Sequence, residues 1–155
     1  GDHRAPGDVW IVRPDGSEAR KVFEGSHAHF GLAWTPDSLK LAIRGHESGM
    51  YLYSMQDDSV RQVPGTEELT CLTPIWSPTP DGWPLLFLTW DLDEERVGGL
   101  RYFREGQPVG VVNEPDVAPI WSSDGSRAVV GFVDRSGEEP VTTVYIADSE
   151  VGFYP

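Results

Sequence analysis

Basic residues are scarce in this chain: 12 lysines and arginines stand against 25 aspartates and glutamates, a formal net charge of −13. A surface of that sign repels phosphate backbones and anionic headgroups, which argues against nucleic-acid binding and membrane insertion. It favours solubility, and a partner drawn to it would carry basic groups. Cysteine is scarcer still. Cys71 stands alone, so no disulfide forms within the chain. Its setting, Leu69-Thr70-Cys71-Leu72, reads as the packing of a small hydrophobe, and with no basic residue nearby it reads as chemically inert. One cysteine suits the cytosol and an exported protein alike. No stretch of ten or more residues keeps a helical period, and no apolar run reaches transmembrane length. No leader or lipidation motif is visible, and residues 1–7 read as a linker or a trimmed N-terminus. Catalytic signatures are missing as well: there is no Gly-x-Ser-x-Gly elbow, His-Glu-x-x-His pair, phosphate loop or dinucleotide fingerprint. The expectation is therefore a protein with no catalytic residues and no cofactor.

Turn-forming residues are plentiful, with 17 glycines and 13 prolines punctuating short apolar runs, and this favours an all-β chain. A tryptophan returns on schedule before a polar turn: Leu32-Ala33-Trp34-Thr35-Pro36-Asp37-Ser38, Pro74-Ile75-Trp76-Ser77-Pro78, and Pro119-Ile120-Trp121-Ser122-Ser123-Asp124-Gly125. The spacings are 42 residues (34 to 76) and 45 (76 to 121). Each copy is followed by an apolar run: Leu39 to Ile43, Leu85 to Trp90, Ala128 to Val133. Such a period, with one unit of short strands per copy, predicts a β-propeller of four-stranded antiparallel blades.

With strands lettered A to D and the tryptophan strand as A, the chain reads C-D, A-B-C-D, A-B-C-D, A-B-C. That is thirteen strands and about three blades in residues 8–155, with repeats near 32–65, 73–113 and 117–149 and a half blade at 8–24. Closed rings need at least four blades, so the expectation is a partial propeller, or two copies completing one ring as a homodimer. Trp34, Trp76 and Trp121 are expected to bury indoles between sheets, each with its N–H on a loop carbonyl. Asp124 and Gly125 are expected to form the turn, the glycine supplying its left-handed position.

The copies resemble the PD40 (WD40-like) repeat of TolB-like propellers. Val9-Trp10-Ile11-Val12-Arg13-Pro14-Asp15-Gly16 is similar to that family's C strand and its Asp-Gly turn. Ala118 to Ser126 is similar to its A strand and Trp-Ser-Pro-Asp-Gly motif, whereas Thr79-Pro80 interrupts the second copy and Thr35 and Ser38 depart in the first. The resemblance implies an exported bacterial interaction platform, periplasmic or extracellular. It also implies an alternative, the propeller part of a larger hydrolase of the prolyl-oligopeptidase type.

The D–A and B–C connections share one end of the sheets and are expected to be the longer ones: residues 25–31, 45–49, 66–72, 91–98, 114–117 and 135–140. Loops on a rigid scaffold carry function, so this acidic face is the expected site for a protein or peptide partner. Its candidates are His27, His29, Phe30, His46, Glu67, Glu68, Asp91 and Asp93. His27 and His29, two apart, with His46 on the adjoining loop, form a candidate set for a divalent transition metal.

Overall fold

The computed structural model describes residues 6–26, 31–76, 78, 85–113, 117–134, 141–148 and 152–154. It is an all-β protein, with no helix among the described residues. A two-stranded half blade, β1 (Gly7–Ile11) and β2 (Arg20–Ser26), opens the chain. Three four-stranded antiparallel meanders follow. Blade 1 is β3 (Leu32–Trp34), β4 (Lys40–Arg44), β5 (Met50–Ser54) and β6 (Ser59–Gln62). Blade 2 is β7 (Thr70–Trp76), β8 (Leu85–Asp91), β9 (Arg96–Phe103) and β10 (Gly110–Asn113). Blade 3 is β11 (Val117–Trp121), β12 (Arg127–Asp134), β13 (Val141–Asp148) and β14 (Gly152–Tyr154).

The expected order is therefore observed with one strand more. Gly152-Phe153-Tyr154 supplies the D strand of blade 3 by pairing with Ile146, Ala147 and Asp148, which makes fourteen strands rather than thirteen. Three residues are too short to show a period in sequence. The half blade is also longer than expected, spanning Gly7 to Ser26.

Period-2 alternation sends successive side chains into the two seams flanking each sheet. Leu41 and Ile43 point back to Val9 of the half blade. Ala42, Met50 and Leu52 point forward to Leu85 and Phe87 of blade 2, with Cys71 and Val63 in the same seam. Leu86, Leu88 and Leu100 face Ala128 of blade 3. The core is thus three inter-sheet layers, and a sheet with a neighbour on each side is apolar on both faces.

The three tryptophans hold the same register, Trp34 opposite Leu41, Trp76 opposite Leu85 and Trp121 opposite Ala128. Their surroundings differ. Trp76 Nε1 donates to the Ala33 carbonyl of the preceding A strand at 2.9 Å. Trp121 has a buried Nε1 with no hydrogen-bond partner among the described residues. Trp34 is 43% exposed, against the expectation of a sheet-buried indole. Among the described residues the sheet before it has two strands, β1 and β2, against the four of blade 1 that precede Trp76.

The turns repeat atom for atom. Ser122 Oγ donates to Asp124 at 2.6 Å, Ser126 N–H donates to the same carboxylate, and Gly125 has φ 70°. In blade 1, Thr35 Oγ1 donates to Asp37 at 2.5 Å, Leu39 N–H donates to that carboxylate, and Ser38 has φ 60°. Ser38 thus takes the left-handed position that Gly125 takes at no steric cost.

Candidate functional site

The connection 45–49, between β4 and β5, is clamped from both sides. Toward the half blade, His46 N–H donates to the Gly25 carbonyl at 2.8 Å, Ser26 bridges Gly45, and Ser26 Oγ donates to the Arg44 carbonyl. Toward blade 2, Ser48 Oγ donates to the Glu67 carbonyl at 2.6 Å and Gly49 N–H donates to that of Leu69. Its glycines are required for space: a Cβ on Gly45 would lie 2.2 Å from the Ser48 carbonyl oxygen. Gly49 combines φ +87° with a Cβ position 2.6 Å from the Gln62 amide.

An open cleft of about 320 Å³ lies against this connection. It is lined by His46, Glu47 and Ser48 of the connection together with Phe23, Glu24 and Tyr51. The Phe23 and Tyr51 rings pack at 4.9 Å between centroids, a tilted pair that contributes aromatic surface to the lining. Glu24 and Glu47 make its lining acidic, with Glu24 paired to Lys21.

The other candidates lie at the same end of the sheets. Glu67 and Glu68 are exposed on the connection from β6 to β7. Glu67 accepts the Gly65 N–H at 3.1 Å, and backbone hydrogen bonds hold its carboxyl below the ordinary range. Asp91 closes β8 and caps the turn after it, accepting the amides of Asp93 and Glu94 at 3.0 Å each. The structure therefore brings His46, Glu47 and Ser48 to the Glu67 loop, while Asp91 and Asp93 stand one blade further on. His27, His29 and Phe30 lie outside the described residues. Among the described residues, no group of three or more His, Cys, Asp or Glu is placed to hold a metal ion.

Two connections are shorter than the sequence suggested. Thr70 to Leu72 belong to β7, and Asp91 to Arg96 is a tight turn closed by a ladder pair. Polar residues at the strand ends, Thr70, Asp91 and Arg96, make these segments resemble loop in sequence. Cys71 also differs from expectation, since Arg44 and Arg101 act on its thiol. Burial outweighs them and pushes the thiol up to about 12, so it stays protonated and inert.

No family model matches the chain, and no curated protein matches it. Solved structures do. An oligogalacturonate lyase in complex with manganese aligns over 96% of this chain and 43% of its own, at 18% identity and TM-score 0.60. A TolB protein from Agrobacterium tumefaciens aligns over 96% and 52%, at 18% identity and TM-score 0.57. Sqt1 from Chaetomium thermophilum aligns over 96% and 38%, at 21% identity and TM-score 0.53. The fold is that of a TolB-like propeller. The chain spans about half, or less, of the length of these neighbours. As in any propeller segment, the loops at one end of the blades form a continuous face, here the clamped 45–49 connection, the Glu67 loop and the Asp91 turn.

Proposed function

We propose that this propeller segment is a non-catalytic binding scaffold, taking a protein or peptide partner on its acidic loop face. The observation that carries the reading is the 45–49 connection, tied to both neighbouring loops and bordering an open cleft whose lining includes two glutamates and an aromatic pair. Such a site is rigid before binding, which lowers the ordering cost of association. Glu24, Glu47, Glu67, Glu68, Asp91 and Asp93 favour a partner with basic side chains, drawn in by long-range attraction that salt weakens. The same reading allows two copies to complete one ring. The test is a titration of ¹⁵N-labelled protein with a panel of Lys- and Arg-containing peptides. Shifts concentrated at His46, Glu47, Ser48 and Glu68, lost in Glu47→Gln/Glu68→Gln, support it. Shifts confined to the opposite end of the blades, or none with any peptide, overturn it.

A second reading is favoured by the likeness to a lyase solved with manganese. Under it, His27, His29 and His46 hold a divalent metal at the same end of the blades. Neutral imidazoles suit such an ion. Stoichiometric uptake of Mn²⁺ or Zn²⁺ by the intact chain, abolished in His46→Ala, supports this reading, and an empty protein ends it. The remaining alternative is the propeller part of a larger, prolyl-oligopeptidase-like hydrolase, for which a nucleophile elbow elsewhere in the same polypeptide is decisive.

A further inference from the structure

Four cationic side chains face the seam between blades 1 and 2. Arg44 pairs in register with Met50, and Arg61 with Leu52, both members of the core in that seam. Arg101, on the opposing sheet, pairs with Phe87 of the same core. Lys40 shares a face with Ala42 and reaches across to Glu105 at 2.7 Å, and Arg61 meets the same carboxylate. Arg44 and Arg101 meet none. Neither guanidinium has a hydrogen-bond or ion-pair partner among the described residues, and the Nε of each is buried. Both lie near enough to Cys71, in this same seam, to act on its thiol.

This arrangement is the reverse of what the composition favours. With 25 acidic residues for 12 basic ones, carboxylates are abundant, yet among the described residues two guanidinium groups on one seam have none. A buried donor left unsatisfied costs about 1–3 kcal/mol, and like charges at low dielectric repel. An anion between them would reverse both penalties. The planar guanidinium fork matches the oxygens of carboxylate and phosphate, with charge-assisted hydrogen bonds. Cys71, protonated, supplies no competing negative charge.

We propose that Arg44 and Arg101 form an anion-binding site in the seam between the first two full blades, taking the carboxylate or phosphate group of a ligand. Arg44 is the last residue of β4, directly before the 45–49 connection. The rest of the ligand would therefore extend toward the loop face. The site is independent of the cleft at His46, which opens on the seam behind blade 1.

The test is calorimetric titration of the intact chain with inorganic phosphate and, separately, with malonate, at constant ionic strength set by chloride. Saturable binding of at least one anion is expected, weakened about tenfold or more in Arg44→Met and in Arg101→Met. Arg13→Met, in an exposed turn where Arg13 pairs with Glu18, should leave it unchanged. Tighter phosphate binding points to a phosphorylated ligand, and tighter malonate binding to a carboxylate. The wild-type arginine Nε–Hε resonances are read in parallel and need no variant: those of Arg44 and Arg101 should move on adding the bound anion. No binding of either anion overturns the proposal, as does binding that leaves both resonances still or both variants unaffected.

Discussion

The hydroxyl that follows a tryptophan does two jobs at once. Ser122 Oγ donates to Asp124 and accepts the Arg127 N–H at 3.0 Å, and Thr35 Oγ1 repeats this with Asp37 and Lys40. Asp124 is held down at about 2 by Ser122 first and then by Ser126, against an ordinary value of 3.8. A carboxyl lowered in the folded state stabilises above its unfolded value, and that contribution disappears as pH falls through the folded one. Melting temperature should therefore drop between pH 3.8 and about 2, and more shallowly in Asp124→Asn. Equal slopes in the two proteins would show that the turn carboxylate does not act. The indoles should rank by neighbour. Trp76→Ala, which loses the bond to Ala33, should cost about 3 kcal/mol in urea unfolding, and Trp34→Ala about half as much, since that ring is 43% exposed.

At the scale of the element, proline explains why the A strands are not identical. Register slips between Leu72 and Ile75 in β7 and between Val117 and Ile120 in β11, around Pro74 and Pro119. Proline has no N–H for the ladder and is confined to edges and bulges. The first copy, with Leu32 in place of the proline, pairs regularly. The connection between β6 and β7 is held by Thr66, fully buried, whose Oγ1 donates to the Val63 carbonyl at 2.7 Å and accepts the Met50 N–H at 3.0 Å. Thr66→Val should leave that amide unpaired and destabilise by about 1–3 kcal/mol. Thermal unfolding checks it, and a neutral result would show that water replaces the hydroxyl. Much of this was legible beforehand. Tryptophan, hydroxyl and Asp-Gly recur because turn and core both require them, so blade order could be read from spacing. The cationic seam could not, because a charged residue in an alternating strand reads as solvent-facing until a second sheet is known to cover it. Trp34 shows the converse limit: a repeat makes residues equivalent in sequence, but burial depends on which neighbour is present.

At the scale of the molecule, the described sheets leave apolar side chains exposed on the first and last of the stack. Ile120, Val129 and Ile146 form a cross-strand row on the outer face of blade 3 at 71%, 42% and 53% exposure. At the other end Trp10, Leu32 and Trp34 are exposed, beside a cavity of about 250 Å³ lined by Val9, Trp10, Ser26 and Leu32. In blade 2, whose corresponding face is covered by blade 3, Leu86, the equivalent of Val129, is buried. Apolar faces of this kind seek cover. Sedimentation equilibrium should give a mass rising above 17.2 kDa with concentration, and Val129→Lys/Ile146→Lys should return it to the monomer. A monomer at every concentration would set aside ring completion by a second copy.

Radial stacking of equivalent sheets is what every site above depends on, and the Trp76 indole reports on it most directly. In a ¹⁵N-edited NOE spectrum, its Nε1–H should show cross-peaks to Ala33 and Trp34, across the seam between blades 1 and 2. Cross-peaks confined to β7 and β8 would contradict the stack.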